Sequence, residues 1–495
     1  MSRFPTLPVL SDDPPPAEEA CGIVAPEHPL LAGAGGDAPT RAGAARQPLC
    51  RLVSMGCKVN QYEVQLVREA LERNGYREAH AHETADLCVI NTCTVTGEAD
   101  SKARQLIRRL GRDNPSSRIV AFGCYAARDP QALERLPQVA AVVGDNRELP
   151  DVLQRFGVAT FPDGIARFDG HRRAFVKVQD GCVLRCTYCI IPSVRPGLRS
   201  RPVIEIEDEI KRLVDFGHRE IVLTGIHLGH YGVDTSRGKS GLPPFRLPHL
   251  IERLERIPGE WRLRLSSLEA DEVDRDFLER TADCERLVPH FHLCLQSGSD
   301  SVLARMRRRY RSGAFLRNVE AIRDRFDRPA LTTDVIVGFP GETEAEFAET
   351  ERVCRAAGFS KIHVFPYSPR AGTPAATFGE QVSAEVKEAR SNRLLALDRV
   401  LRGEYHQSLV GKTLGVLVEA RPATRPGYVT GTACRFVDTE FPGTRDDIGR
   451  LVSVRLLDGF TEFPVGVRVL PGEEPVEPLR SGVVCSDGSF AEMGR

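Results

Sequence analysis

Between residues 174 and 365 six short apolar runs recur, at 174–178, 220–223, 262–265, 290–295, 331–337 and 361–365, each followed by an amphipathic stretch. A strand, a returning helix and another strand, repeated, read as a parallel sheet with crossover helices. Six such units suit a partial (β/α) barrel better than a flat sheet, although the pattern alone does not separate the two. A shorter series precedes them, with strands at 52–55, 87–90, 118–122 and 140–143 and helices at 61–74, up to about 110, and near 130–136. Residues 50–150 thus read as one α/β unit. After the six units a long polar helix over 383–405 leads to Gly-punctuated β-type runs at 414–418, 427–432 and 451–456. These read as a small five-stranded barrel of the oligonucleotide-binding type within 411–470. The fold class expected is α/β in three domains: a parallel-sheet domain over 49–155, a partial (β/α)6 barrel over 168–402, and a small β-barrel over 405–471. A chain of 495 residues agrees with that count at about 150 residues per domain.

Lys plus Arg number 67 against 68 Asp plus Glu, a net charge of -1, so any polyanion must be met by a local patch. The longest aliphatic run, 139–143, falls far short of the roughly 18 apolar residues that span a bilayer, and no membrane partner is expected. No basic stretch followed by an apolar block opens the chain, so a cytoplasmic location with reduced thiols is expected. Residues 1–48 hold nine Pro and five Gly and read as a disordered tail, as do residues 472–495. The acids Asp12, Asp13, Glu18 and Glu19 argue against the alternative, a cleavable transit segment. Fourteen Cys in 495 residues fall below the roughly 8–10% of a disulfide scaffold, which turns attention to metal chemistry.

Cys182, Cys186 and Cys189 stand as C-x-x-x-C-x-x-C directly after the first barrel strand, in VQDGCVLRCTYCIIP. Three thiolates on one short loop can hold three corners of an iron-sulfur cube and leave the fourth iron open for a ligand. A zinc knuckle would use a fourth local Cys or His, and none follows within 25 residues. Cys57, Cys93 and Cys124 lie far apart, in SMGCKVNQYE, VINTCTVT and AFGCYAA, each just past the carboxyl end of an expected strand. In a parallel sheet those ends share one edge, so the three converge where open α/β sheets place ligands. A second cluster follows from convergence; the plainer alternative makes each a small buried apolar residue. Cys21, Cys50, Cys88, Cys284, Cys294, Cys354, Cys434 and Cys485 show no spacing pattern and are assigned no role.

The segments GCKVNQYE, NTCTVT, QDGCVLRCTYCIIP, LTGIHLGHYG, LQSGSD, GFPGET and FPYSPRAGT together resemble the methylthiotransferase family of radical S-adenosylmethionine enzymes from about residue 50 to 470. The run from Lys58 to Glu63 is most similar to the branch acting on threonylcarbamoyladenosine of tRNA. Pro196 stands where a glycine is common in the VRPGLRSR loop, and the head and tail depart from the family pattern. The resemblance implies that Cys182, Cys186 and Cys189 hold a 4Fe-4S cluster that binds S-adenosylmethionine and yields a 5′-deoxyadenosyl radical. It implies that Cys57, Cys93 and Cys124 hold an auxiliary 4Fe-4S cluster carrying the sulfur, with tRNA and an electron donor as partners. Barrel enzymes gather their sites at the carboxyl ends of the strands. Expected there are Thr224 and Gly225, Ser266, Ser267 and Glu269, Gln296 and Ser297, Asp334 and Gly338, and Tyr367 and Arg370. Of these, Thr224, Gly225, Ser267, Glu269, Gln296 and Gly338 are the expected cofactor-binding residues, with Gln296 also counted beside the three cysteines of the loop as catalytic.

Arg305, Arg307, Arg308, Arg309 and Arg311, with Tyr310 among them, are expected to clamp phosphates and stack on a base, a solvated helix face being the alternative. The terminal barrel carries eight Lys or Arg between Lys412 and Arg468 against seven acids, so its assignment to RNA rests on resemblance to the TRAM domain. Carbon 2 of adenine offers no leaving group, which calls for a radical route, and an unpaired anticodon-loop adenosine is the least costly to extrude. The threonylcarbamoyl carboxylate calls for a cation, with Arg370 or Arg195 as candidates. Alternatives are the same chemistry on isopentenyladenosine or on a ribosomal protein, and a noncatalytic iron-sulfur or zinc RNA-binding protein.

Overall fold

The computed structural model describes residues 46–236, 245–459 and 463–469, so most of the expected head and all of the expected tail lie outside the described residues. The first unit is a parallel sheet in the order β2-β1-β3-β4-β5, built from Leu49–Ser54 (β1), Arg77–Glu78 (β2), Leu87–Thr92 (β3), Arg118–Gly123 (β4) and Val139–Val143 (β5). All six residues of β3 are buried, as a central strand covered on both faces requires. The first helix, Lys58–Arg73 (α1), buries Val59, Tyr62, Val64, Val67, Ala70 and Leu71 at spacings of one to three, and the chain turns at Gly75 with φ +85°. Tyr62 leaves its own domain: it is buried in the core of the next one and its hydroxyl donates to Glu209 at 2.9 Å.

The central unit follows the six-strand expectation. Its long strands are Arg173–Asp180 (β6), Glu220–Gly225 (β8), Arg262–Leu265 (β9), His290–Leu293 (β11), Ala330–Val337 (β12) and Lys361–Pro366 (β13), with the short Arg199–Ser200 (β7) and Ser267–Leu268 (β10) beside them. They form two four-stranded sheets, β7-β6-β8-β9 and β10-β11-β12-β13. The sheets join where Val288 N–H donates to the Leu263 carbonyl at 2.9 Å and Leu263 N–H to that of Arg286 at 2.7 Å. Ala174, Val176 and Val178 alternate with Arg173, Phe175 and Lys177 along β6, the apolar set facing the helices and their shared core.

The helix Ala384–Ser408 leads to a closed barrel of Thr413–Glu419 (β14), Tyr428–Ala433 (β15), Asp438–Pro442 (β16), Leu451–Asp458 (β17) and Val465–Arg468 (β18), in the order β14-β15-β16-β18-β17. β16 and β18 escape the apolar pattern because one is short and carries the buried Glu440, ion-paired to Arg425, and the other has a single buried residue. The barrel docks on the amino ends of the central strands. Arg262 donates to the carbonyls of Gly415 (2.7 Å) and Thr432 (2.8 Å), Arg264 donates to those of Ala433 and Cys434, and Phe436 stacks on His290 at 4.3 Å. The opposite, carboxyl edge is left to the cysteines. Among the described residues no helix is long and apolar enough to cross a membrane.

Candidate active site

Cys57, Cys93, Cys124 and Cys182 each sit within three residues of the carboxyl end of a strand, and Cys186 and Cys189 follow on the loop that Cys182 opens. Cys182 follows Gly181, whose φ of +79° and close approach to the Gly197 carbonyl leave no room for a side chain. Cys124 follows Gly123, at φ +93°, where a methyl would collide with the Thr92 backbone. The loop from Cys182 is pinned at both ends: Cys182 N–H donates to the Arg195 carbonyl (3.1 Å), and Thr187 N–H to that of Met306 (3.1 Å). Buried Gln179 anchors the approach, its amide donating to the carbonyls of Asp180 and Gly181 while accepting from His227 N–H at 2.7 Å.

Cys57, Cys93 and Cys124 lie close together at the carboxyl edge of the first sheet. A methyl at Gly56 would lie 2.9 Å from Cys93 Sγ, and Cys57 is an electrostatic neighbour of both Cys93 and Cys124. The two sets also face each other. Cys124 packs in one apolar cluster with Ile190 and Val194, the residues that follow Cys189. Burial pushes the Cys124 thiol up to about 11 and the Cys189 thiol up to about 12, and raises Cys93 and Cys186 as well. Thiols held protonated in this way are poor nucleophiles but suit metal centres, which displace the proton on binding. Among the eight unassigned cysteines, Cys50, Cys88 and Cys354 are buried, Cys284, Cys294 and Cys434 are half-buried, and Cys21 and Cys485 lie outside the described residues.

Each set is accompanied by a buried arginine. Arg308 donates to Cys186 Sγ at 3.5 Å and pairs with Glu269, whose carboxyl burial pushes above the usual range. Arg195 donates to Cys124 Sγ at 3.5 Å and to Glu63 at 2.7 and 2.9 Å. Beside the loop, His227 Nδ1 lies 3.8 Å from Cys182 Sγ and its Nε2 2.5 Å from Glu272, while the His230 ring stacks on His227 at 3.7 Å. His227, on the turn after β8, thus brings beside Cys182 an imidazole that the Cys182–Cys189 loop itself lacks.

The remaining expected residues gather on the same carboxyl edge. Thr224 and Gly225 end β8, Ser267 opens β10 with an exposed side chain, and buried Ser266 Oγ has no hydrogen-bond partner among the described residues. Gln296 takes a left-handed φ of +64°, its N–H donating to the Asp334 carbonyl and its carbonyl accepting from Ile336, so its side chain projects from a bent strand end. Buried Ser297 contacts Thr350. Gly338 has φ +70° and donates to Glu342, and the Tyr367 hydroxyl is buried with no hydrogen-bond partner among the described residues. Unpartnered hydroxyls beside three free thiols fit a site built to receive a polar ligand and a metal centre.

Three expectations need correction. Arg370 is buried against Asp100 and Thr94, and Arg195 against Glu63 and Asp180, so neither offers a free cation to a substrate carboxylate. The arginine run is not one clamp, because Arg305 pairs with Glu346 and Arg308 turns inward to Cys186, leaving Arg307, Arg309 and Arg311 exposed. Tyr310 is buried with its hydroxyl donating to the Cys294 carbonyl and cannot stack on a base. Sequence reasoning misses Arg195, Asn60, Glu63, Asp180 and His227 as parts of the cysteine environment; each stands in a quoted segment, and only for Asn60, Glu63 and Asp180 does nearness along the chain to Cys57 or Cys182 give a signal.

Residues 50–144 match the family described as Uncharacterized protein family UPF0004, and residues 176–354 the Radical SAM superfamily. The threonylcarbamoyladenosine tRNA methylthiotransferase MtaB of Bacillus subtilis is 37% identical over 442 residues, covering 85% of this chain and 96% of that protein. The protein of the same name from Chlamydia pneumoniae is 41% identical over 411 residues, covering 82% and 94%. A tRNA-2-methylthio-N(6)-dimethylallyladenosine synthase of Carboxydothermus hydrogenoformans is 33% identical, covering 82% and 96%. In fold alone, the chain is similar to the radical S-adenosylmethionine methyltransferase TsrM of Kitasatospora setae, with a TM-score of 0.50 at 15% identity over 67% of this chain and 77% of that one. With both cysteine sets in place on one edge and relatives matched over nearly their whole length, the chain belongs to the methylthiotransferase family of radical S-adenosylmethionine enzymes.

Proposed function

We propose that this enzyme adds a methylthio group to carbon 2 of threonylcarbamoyladenosine in the anticodon loop of tRNA, on the 3′ side of the anticodon. The observation that carries the reading is the facing of two three-cysteine sets, with Cys124 packed against the residues that follow Cys189. Cys182, Cys186 and Cys189 hold the cluster that binds S-adenosylmethionine, and Cys57, Cys93 and Cys124 hold a second. When bound, these groups supply the radical that opens the carbon 2–hydrogen bond and the sulfur that replaces it. The chain's own residues orient the reactants. Gln296, Ser267, Thr224 and the backbone at Gly225 and Gly338 line the ligand's place, Glu269 is held in position by Arg308, and the facing domains exclude water. An electron donor completes the system.

With Arg195 and Arg370 neutralised, Lys58 is the cation that fits the threonylcarbamoyl carboxylate. It follows Cys57, keeps solvent access, and has no hydrogen bond or ion pair among the described residues. Burial and then Arg173 on β6 lower its pKa, and Cys57, Asp334 on β12 and Arg264 on β9 are its other electrostatic neighbours, which places it toward the barrel interior. A charge-assisted hydrogen bond contributes about 1.5–3 kcal/mol, a roughly tenfold to hundredfold preference. The test offers purified enzyme an equimolar mixture of tRNAs bearing threonylcarbamoyladenosine and isopentenyladenosine, with nucleosides read by mass spectrometry. The 2-methylthio product forms on the first, and Lys58→Met erodes the preference by that factor. Product on the isopentenyl substrate alone would overturn the substrate assignment, and zinc without iron after anaerobic reconstitution would return the Cys182–Cys189 loop, with His227, to a structural knuckle.

A further inference from the structure

Arg195 touches both cysteine sets. Its carbonyl accepts the N–H of Cys182 at 3.1 Å, and its guanidinium donates to Cys124 Sγ at 3.5 Å and to Asn60 Oδ1 at 3.2 Å. Asn60 Oδ1 in turn lies 3.7 Å from Cys57 Sγ, and the Asn60 amide donates to the Thr92 carbonyl, next to Cys93. One side chain therefore reaches the surroundings of all three auxiliary cysteines, and its backbone holds the first cysteine of the other loop. Pro196 fixes this arrangement: the residue before a proline is driven out of the helical region, so the helix Ile191–Val194 stops and Arg195, at φ −134° and ψ 66°, turns its carbonyl to Cys182.

Arg195 sits in a buried network of ion pairs. Arg195, Lys177 and Arg199 face two carboxylates, Glu63 and Asp180, and Glu63 also accepts from Asn91 and Asn146. Arg199 is the outermost of the three cations, so the cation against Cys124 is Arg195 itself, ion-paired and only 4% exposed. A buried cation that donates to a cluster sulfur stabilises the more negative, reduced state and raises the reduction potential.

We propose that Arg195 is a positioning residue that sets the reduction potential of the auxiliary cluster through Cys124, while its carbonyl fixes the distance of that setting group from the Cys182 loop. The inference rests on the auxiliary cluster proposed above. It is tested by anaerobic redox titration of the full-length reconstituted protein, followed by electron paramagnetic resonance. A Cys186→Ala background lets the auxiliary centre be read alone.

Arg195→Lys keeps a cation but lacks the planar fork that meets Glu63, Asp180 and Cys124 together. The pair Arg195→Gln with Glu63→Gln removes one charge of each sign, so that no carboxylate is stranded. Both variants are expected to keep the wild-type iron content and to move the auxiliary midpoint to a more negative potential, while the Cys182–Cys189 cluster keeps its own. An unmoved auxiliary midpoint, an equal shift of both centres, or loss of the auxiliary iron from both variants would overturn the inference and leave the cluster itself standing. A wild-type protein with one titrating centre would overturn the auxiliary cluster, and this inference with it.

Discussion

At the scale of single residues, the environment of the candidate site is decided by buried charges. Arg308 couples Cys186 to Glu269 in a place that is 7% exposed. Removing it strands the carboxylate, and breaking a buried pair in this way costs about 3–5 kcal/mol. Burial already raises the Glu269 pKa against the pull of Arg308, and in Arg308→Leu only the smaller pull of His227 still opposes it. A carboxyl whose folded pKa lies above its unfolded value of about 4.3 loses stability as pH rises through that window. Thermal melts of the metal-free protein should therefore show a larger deficit for Arg308→Leu at pH 8 than at pH 5, with much of it recovered in the double variant with Glu269→Gln. A deficit independent of pH would assign the role of Arg308 to packing alone. Residues of this kind were the least legible in the sequence. The cysteines announce themselves by spacing, whereas an arginine that turns inward looks like its exposed neighbours Arg307 and Arg309 until its partners are known.

At the scale of elements, strands were legible because parallel sheets buried on both faces leave apolar runs, and β3, β9 and β12 lie at or within a residue or two of where those runs stand. The turns that follow them carry the chemistry and depend on particular backbone angles. Gly181→Ala would place a side chain at φ +79° against the Gly197 carbonyl, displacing the segment that presents Cys182. The expected outcome is loss of roughly half of the reconstituted iron, with the remaining centre titrating as in Cys186→Ala. Full iron in Gly181→Ala would show that the loop tolerates another path. What the periodicity did not reveal is α1 crossing to the next domain, since Tyr62 reads as one more apolar position on a helix and only its hydrogen bond to Glu209 identifies where it is buried.

At the scale of the whole molecule, the two outer units flank the central barrel, with the cysteines at the carboxyl edge and the terminal barrel at the amino edge. Glu220 is the electrostatic pivot of that second junction. Burial would raise its carboxyl, but Arg264 and Arg262 hold it well below the usual range. Its contribution is therefore present above the unfolded pKa of about 4.3 and lost as pH falls through that value toward the folded one. Melts from pH 6 to pH 3 should show a steep loss in the wild type and a flatter, lower curve in Glu220→Gln; parallel curves would contradict the pivot. Deleting the terminal barrel would also strip Arg262 and Arg264 of their carbonyl acceptors, so truncation does not isolate an RNA-binding role. The domain order was legible from the alternation of strand and helix, while the docking was not, because it is made by backbone carbonyls that any sequence supplies. The central claim, two separate clusters on facing loops, is tested most directly by iron quantification with Mössbauer spectroscopy on the anaerobically reconstituted full-length protein. The account predicts about eight iron in the wild type and about four in each of Cys186→Ala and Cys93→Ala, with the surviving four in a different environment in each. A wild type with about four iron, or a variant of either set that loses all of its iron, would contradict it.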